Sequence, residues 1–351
     1  MLFVPVSGPR GMGEYARALA LATAAVQRWP QLEVHFAVSR EAPYAAETPF
    51  PMTLLPSSPT FHNKEMSELI RSFRPSLVVF DNAGRTVQLR AAVHAGARVV
   101  YVSSRERQRR RAFRIRWMKM IDEHWIAYPE FIAGALTTLE RVKLRLMGRP
   151  VVKYLDAVLP PRDPVLAAQM MGRFDVAFGD YVLVVPGGGT DHPGAENAPH
   201  IIAEAARRIA EQGTPTVLVG VSLSGDLDRP PSHRLHVTPR LPMAQLAALM
   251  RGARLVVSNG GDTLLQAISA ARLCVAVPIA GDQAHRIARC EQRGLAVGSR
   301  LDAQVLSEAA LSLLGDSARH ASFVTRLSRS TLTNGLDAAL ESIGRLIVPR
   351  G

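Results

Sequence analysis

Cysteine is scarce, long apolar runs are missing and acidic residues are outnumbered, and each shortage narrows what this chain can be. Only Cys274 and Cys290 occur in 351 residues. Neither lies in a C-x-x-C or a Cys/His cluster, so both read as reduced packing residues, with no zinc site and no disulfide framework. No stretch reaches the ~18 consecutive apolar residues of a membrane span. The amino-terminal MLFVPVSGPR enters a strand at once, without a charged segment ahead of a long apolar one, so no signal peptide is expected and the location is read as cytoplasmic. The 30 Asp and Glu set against 42 Lys and Arg leave a formal net charge of +12. Such an excess suits anionic lipid, nucleic acid or an anionic substrate, or marks a basic proteome.

What is present is ordinary folded-protein composition, 47% hydrophobic and 21% charged, at a length that suggests about two domains. Strand and helix patterns alternate from the start. Leu2 to Val6, Leu32 to Val38, Met52 to Leu55, Ser76 to Phe80, Arg98 to Val102 and Glu123 to Ala127 read as strands, with helices at Glu14 to Ala24, Lys64 to Phe73 and Arg85 to Ala95. A strand-like VVKYLDAVL with Pro160, Pro161 and Pro164 marks an interdomain linker at 150–164. A second alternation follows, with strands at Tyr181 to Val185, Thr216 to Val221, Leu235 to Val237, Arg254 to Val257 and Leu273 to Pro278. Asp302 to Val348 is mostly helical. This implies parallel sheets with right-handed crossovers in two Rossmann-like halves, and no short repeat is visible. The expected domains are 1–155, 165–330, and a carboxyl-terminal helix at 331–351 able to return to the first domain.

Residues 105–119, RERQRRRAFRIRWMK, hold eight Arg or Lys against one Glu. On a helix, Phe113, Trp117 and Met120 share one face and Arg107, Arg110, Arg111 and Arg114 the next. Such a helix suits an anionic membrane surface or an anionic acceptor. A solvated face of a sheet-packing helix and nucleic-acid contact are the other readings, the last without a recognisable binding module.

Glycine-rich turns follow several strands. GPRGMGEYAR, from Gly8 to Arg17, can bring backbone N–H groups and a helix start towards an anion. It lacks the Lys-Ser/Thr of a Walker loop, and no acidic residue closes the second strand, which ends at Val38 and Ser39, so a nicotinamide or flavin role is weak. Glu14 at that helix start is a candidate general base, or else only complements the helix dipole. Arg17, one turn on, could hold Glu14 ionised or meet an anionic substrate. Asp81 with its neighbour Asn82, at a strand end, is the second candidate base, with strand-end capping as the alternative. In the second half, Gly187-Gly188-Gly189-Thr190 follows a strand and can approach a phosphate, while Asp191 and His192 read equally as turn residues. The chain centres on residues 254–283, where Ser258-Asn259-Gly260-Gly261 turns into a helix from Asp262 through Ala271. Gly281-Asp282-Gln283 follows the next strand, so two polar loops stand at adjacent strand ends, where open parallel sheets bind ligands.

SNGGDTLLQAISAARLCVAVPIAGDQAHRIARCEQRG resembles the donor-site signature of GT-B glycosyltransferases, particularly the peptidoglycan lipid-II-forming N-acetylglucosaminyltransferases. The likeness spans about 45 residues with HVTPRLPMAQLAALM upstream. It implies an α/β fold of two Rossmann-like domains facing across a cleft. It implies a nucleotide-diphosphate sugar as substrate, with UDP favoured, and turnover without metal or other cofactor. Gly260, Gly261, Asp262 and Thr263, beside Asn259, would face the diphosphate with Gly188, Gly189 and Thr190. Gln266 stands where relatives carry a ribose-gripping Glu, Asp282 and Gln283 match the pair that contacts sugar hydroxyls, and Arg240 and Leu241 match the segment that reads the base. GMGEYAR resembles the Gly-x-Gly-His-x-x-Arg start of related enzymes, including nucleotide-sugar hydrolases, with Glu14 in place of His. Gly11, Gly13, Arg17 and Asn82 would then lie on the acceptor side. The implied activity is inverting transfer of a hexosyl or N-acetylhexosaminyl group in bacterial glycan or glycolipid synthesis. Hydrolysis of a nucleotide sugar, and a non-catalytic nucleotide-sugar-binding subunit of a membrane-associated complex, are the alternatives.

Overall fold

The computed structural model describes residues 1–8, 12–42, 44–45, 48–187, 195, 197–220, 233–330 and 332–348. The chain divides into two compact units, Met1–Val158 with Asn334–Gly351, and Leu159–Thr333.

The first unit contains β1 (Leu2–Pro5), α1 (Gly13–Arg28), β2 (His35–Ser39), β3 (Met52–Leu55), α2 (Asn63–Phe73), β4 (Leu77–Asp81), α3 (Thr86–His94) and β5 (Arg98–Ser103). It continues with α4 (Glu106–Ala112), α5 (Ile115–Met118), β6 (Glu123–Ile126), α6 (Glu130–Ala133), α7 (Thr138–Met147) and β7 (Val151–Tyr154). Its strands form one seven-stranded sheet in the order β3-β2-β1-β4-β5-β6-β7, parallel throughout. Alternation along the strands feeds two cores: Phe3, Leu77 and Val79 point to one face, Leu2, Val4, Val78 and Phe80 to the other, as a period of two residues requires. Both faces are covered, which is why these strands read as continuous apolar runs. The stretch at 150–164 read as a linker begins with β7, whose partner is β6.

The second unit holds α8 (Pro164–Arg173), β8 (Val182–Val185), α9 (Ala198–Glu211), β9 (Thr216–Val219), β10 (Leu235–Thr238), α10 (Met243–Gly252) and β11 (Leu255–Asn259). After these come α11 (Asp262–Ser269), β12 (Leu273–Val277), α12 (Gln283–Glu291), β13 (Val297–Gly298), α13 (Ala303–Gly315) and α14 (Ser317–Ser328). Six strands run in the order β10-β9-β8-β11-β12-β13, again parallel. Ile202, Ala206 and Ile209 of α9 and Leu306, Ala310 and Leu313 of α13 pack with β8, β11 and β12 in a single core.

The last helix, α15 (Gly335–Ile347), belongs to the first unit. Leu336, Ala339 and Ile343 join the core beneath α1. Gly335 N–H donates to the Ala157 carbonyl at 2.6 Å, and a Cβ at Gly335 would overlap the Leu155 carbonyl, so only glycine allows this approach.

Candidate functional site

In a doubly wound parallel sheet the strand order reverses at one point, and the connections there leave in opposite directions, opening a crevice at the carboxyl ends. In the second unit that point lies between β8 and β11. The two polar loops expected side by side after β11 and β12 are there, and the loop after β8 joins them across the reversal. Asn259 makes the join: its Nδ2 donates to the Pro186 carbonyl at 3.0 Å, and its Oδ1 accepts from Gly261 N–H at 2.9 Å. Gln283, the first residue of α12, ties the neighbouring loops, its Oε1 accepting from Gly260 N–H at 3.2 Å and Ile279 N–H at 2.9 Å. Both side chains are buried. Gly260 sits so close to α12 that a Cβ there would lie 2.8 Å from Ile287 Cδ1 and 2.9 Å from Gln283 Cβ.

This framework presents the start of α11. Gly261 is its N-cap and Asp262 its first residue, and no side chain caps it. A helix start exposes N–H groups and the positive end of the dipole. Asp262 and Thr263 are half-buried there. Gln266 is buried, its Nε2 lying 3.9 Å from Met243 Sδ at the start of α10. This turns it towards the segment carrying exposed Arg240 and buried Leu241. Gly188, Gly189 and Thr190 lie outside the described residues, as do Asp191 and His192.

Arg286 was not anticipated. It is buried, donating to the Gly260 carbonyl at 2.5 Å and to Asp282 Oδ2 at 2.7 Å. The i, i+4 spacing of Asp282 and Arg286 was a readable signal. Asp282 remains 70% exposed, so its carboxylate is oriented without being hidden.

The first unit reverses between β1 and β4, and the residues singled out near its start gather there. Arg17 grips Asp81 with both ends of its guanidinium, Nε to Oδ2 at 2.8 Å and a terminal nitrogen to Oδ1 at 3.0 Å. The two side chains are only 7% and 3% exposed. Arg17, expected to hold Glu14 ionised or to meet an anionic substrate, pairs with Asp81 here. Both carboxylate oxygens of Asp81 take part in this buried bidentate pair. Asn82 adopts a left-handed conformation (φ 52°), one that Asn tolerates better than most residues. Its Oδ1 accepts from Ser104 N–H at 2.9 Å, and its Nδ2 donates to Glu14 Oε1 at 2.8 Å and also reaches Ser104 Oγ. Glu14 is half-buried in the first turn of α1, which begins at Gly13 and has no side-chain cap. Burial, and next the nearby Glu14 charge, push the Tyr44 phenol above its ordinary range. Gly11 lies outside the described residues.

The basic segment departs from the expected single helix. It breaks after Ala112 into α4 and α5. Phe113 and Trp117, expected on a membrane-facing side, are each 2% exposed. Trp117 stands edge-on to Tyr101, and Phe113 edge-on to His124. Arg109 is also internal, paired with Glu140. An apolar face that fills the core is not open to lipid, so the expectation that Phe113 and Trp117 form a lipid-facing side of 105–119 is corrected. Among the described residues no helix is long and apolar enough to cross a membrane, and no group of three or more His, Cys, Asp or Glu could hold a metal ion. Cys274 and Cys290 are free and buried, and burial pushes both thiols up to about 12.

No protein-family model and no curated protein matches the chain. Solved structures do. Os79 from O. sativa, in complex with a trichothecene, shares 14% identity at a TM-score of 0.66, covering 99% of this chain and 100% of that one. LpCGTa in complex with UDP shares 15% identity at a TM-score of 0.61, covering 99% of each chain. A putative UDP-N-acetylglucosamine 2-epimerase from Listeria monocytogenes shares 14% identity at a TM-score of 0.57, covering 97% of this chain and 94% of that one. With both parallel sheets in place, the fold of this chain is the two-domain α/β fold of GT-B glycosyltransferases.

Proposed function

We propose that this protein is an inverting glycosyltransferase that moves a sugar from a nucleotide-diphosphate sugar, UDP-linked by preference, to an acceptor hydroxyl. The observation that carries the reading is the uncapped start of α11, held at the sheet reversal by Asn259, Gln283 and Arg286. Backbone N–H groups there suit a diphosphate. Asp262 contributes through its backbone, because its carboxylate would repel the phosphates. Gln266 takes the ribose, Arg240 and Leu241 the base, and Asp282 the sugar, with Gly188, Gly189 and Thr190 assigned to the diphosphate from the sequence alone. LpCGTa, similar over its full length, was solved with UDP.

The second unit is the donor domain in this reading and the first the acceptor domain, with Gly13 at the start of α1 on the acceptor side. Glu14 takes the proton of the acceptor hydroxyl as that oxygen attacks the anomeric carbon. The anomeric bond to the diphosphate breaks, the nucleotide leaves with the electron pair, and the configuration inverts. Asn82, on Oε1, aims the carboxylate. The helix dipole and N–H groups of α11 stabilise the leaving diphosphate, so turnover needs no metal. We place the activity in the bacterial cytoplasm, on a glycan or glycolipid acceptor, with a hexosyl or N-acetylhexosaminyl donor.

Titration calorimetry with UDP, TDP and GDP, in EDTA and in Mg²⁺, tests the donor half: UDP should bind equally in both, and binding of none of the three rejects the reading. Glu14→Gln should lower kcat by about 10²–10⁴ while leaving UDP affinity unchanged. Hydrolysis is the second reading, resting on the resemblance of GMGEYAR to the start of nucleotide-sugar hydrolases. It is chosen if the donor turns over without acceptor as fast as with one.

A further inference from the structure

Helix α7 is turned the unexpected way round. Three large aliphatic side chains face solvent, Leu139 at 63%, Val142 at 48% and Leu146 at 80% exposed, while Glu140 is buried. The positions i, i+3 and i+7 fall on one stripe. The orientation has a definite cause. Glu140 closes a capping box with Thr137 and receives Arg109 on both oxygens at 3.1 and 2.8 Å. Arg109 also donates to the carbonyls of Ala133, Gly134 and Ala135. Lys143 Nζ reaches the Phe113 carbonyl at 3.2 Å. These bonds fasten α7 beside α4 with its apolar stripe outward. Ile115, at the start of α5, is another exposed aliphatic on the same neighbouring segment, at 54%.

The charge around the stripe identifies what would cover it. Residues 105–119 hold eight Arg or Lys against one Glu, and 138–149 hold four against one Glu. These two segments therefore carry ten of the twelve net positive charges of the chain. Arg107, Arg110, Arg114 and Arg116 are exposed beside Arg141 and Arg145 of α7 itself. A second copy of this surface would meet it with like charge, whereas aliphatic side chains flanked by arginine suit acyl chains beneath anionic headgroups. We propose that α7, with the exposed cations of α4 and α5, is a docking surface for an anionic lipid bilayer. The inserting residues are Leu139, Val142 and Leu146, and the buried Phe113 and Trp117 take no part. The inference stands on this surface alone and does not depend on the reaction.

Co-sedimentation of the full chain with vesicles tests it. Vesicles of phosphatidylcholine with one third phosphatidylglycerol should take up the protein, pure phosphatidylcholine should not, and added salt should release it. Leu139→Ser, Val142→Ser and Leu146→Ser together should cut uptake at least about tenfold at low salt, since full burial of one such side chain is worth roughly that factor. Leu146→Ser alone serves if the triple variant misfolds, with circular dichroism and UDP binding as controls. Arg141→Gln with Arg145→Gln should weaken uptake by roughly fivefold per cation and flatten the salt dependence. Undiminished uptake of the serine variant overturns the proposal, as does equal uptake by neutral vesicles. So does self-association in sedimentation velocity that the serine variant abolishes while vesicles bind neither protein; the occupant would then be a second copy.

Discussion

The two units place polar groups at the same topological position, outside the carboxyl ends of a parallel sheet where strand order reverses, yet they build them from different chemistry. In the first, charge is held by charge: Arg17 and Asp81 form a buried pair, and an amide from Asn82 steadies Glu14 beside it. In the second, backbone is what is held: the amides of Asn259 and Gln283 and the buried guanidinium of Arg286 bind loop N–H and carbonyl groups, and the nearby carboxylate of Asp282 stays largely exposed. The contrast follows from what each site offers. A carboxylate presented to a hydroxyl must be a side chain, oriented by other side chains. An anion site made of backbone N–H groups needs the backbone itself held still and kept free of Cβ atoms, as Gly260 shows. The first site therefore rests on a fully buried ion pair, the second on loop geometry held by two amides and one buried guanidinium.

The largest expected effect breaks the first arrangement. Arg17→Ala leaves Asp81 buried without its guanidinium and should destabilise the first unit by about 3–5 kcal/mol in urea unfolding. The double replacement Arg17→Met with Asp81→Leu should lose far less, because no charge is stranded. A loss under about 1 kcal/mol for the single variant would show that the pair is dispensable. Gln283→Ala breaks the second arrangement by removing the side-chain acceptor of Ile279 N–H and the second acceptor of Gly260 N–H, which keeps its bond to the Val277 carbonyl, at about 1–3 kcal/mol. If the loop loosens by about 1.4 kcal/mol at the site, calorimetric UDP affinity falls tenfold; unchanged affinity would separate Gln283 from the donor loop.

A smaller effect sharpens the contrast through pH. His124 is the one buried histidine among the described residues, its Nε2 paired with Ser103 Oγ at 2.8 Å. Burial, and next the charge of Arg109, push its pKa down from 6.5 to about 3. Between those values the unfolded chain binds a proton that the folded chain refuses, so stability is full above 6.5 and falls as the pH drops towards 3. Going from pH 7 to about 5 should cost about 2 kcal/mol, and His124→Asn should flatten that slope. An equal slope in both proteins, read by urea unfolding at each pH, would assign the acid loss to other groups.

Much of the fold was legible because both sheets are buried on two faces, so their strands stand out as short apolar runs between glycine and proline turns. β7 was the exception. Its residues are exposed or half-buried and run on towards prolines, so a stretch read as strand-like was grouped with the linker at 150–164, and the two units divide after Val158. The glycine turns and polar strand ends of the candidate sites were legible too, since Asp81-Asn82 and Ser258-Asn259-Gly260-Gly261 interrupt apolar strands. Their partners were not. Arg17 pairs with Asp81 across 64 positions, and local spacing on α1 pointed to Glu14 instead.

The sequence by itself determined the parallel α/β class, the strand ends where polar chemistry is placed, the reduced state of two cysteines and the concentration of positive charge at 105–119. Those follow from composition and from periods of two and 3.6 residues, which are local properties. Only the tertiary structure decided which way the amphipathic faces turn and which charges are spent. Trp117 and Phe113 fill the core because Tyr101 and His124 are there to receive them. Leu139, Val142 and Leu146 face water because the capping box and Arg109 draw Glu140 inward. A helical period fixes which residues share a face, but the side of the fold that face meets depends on neighbours far away in the chain.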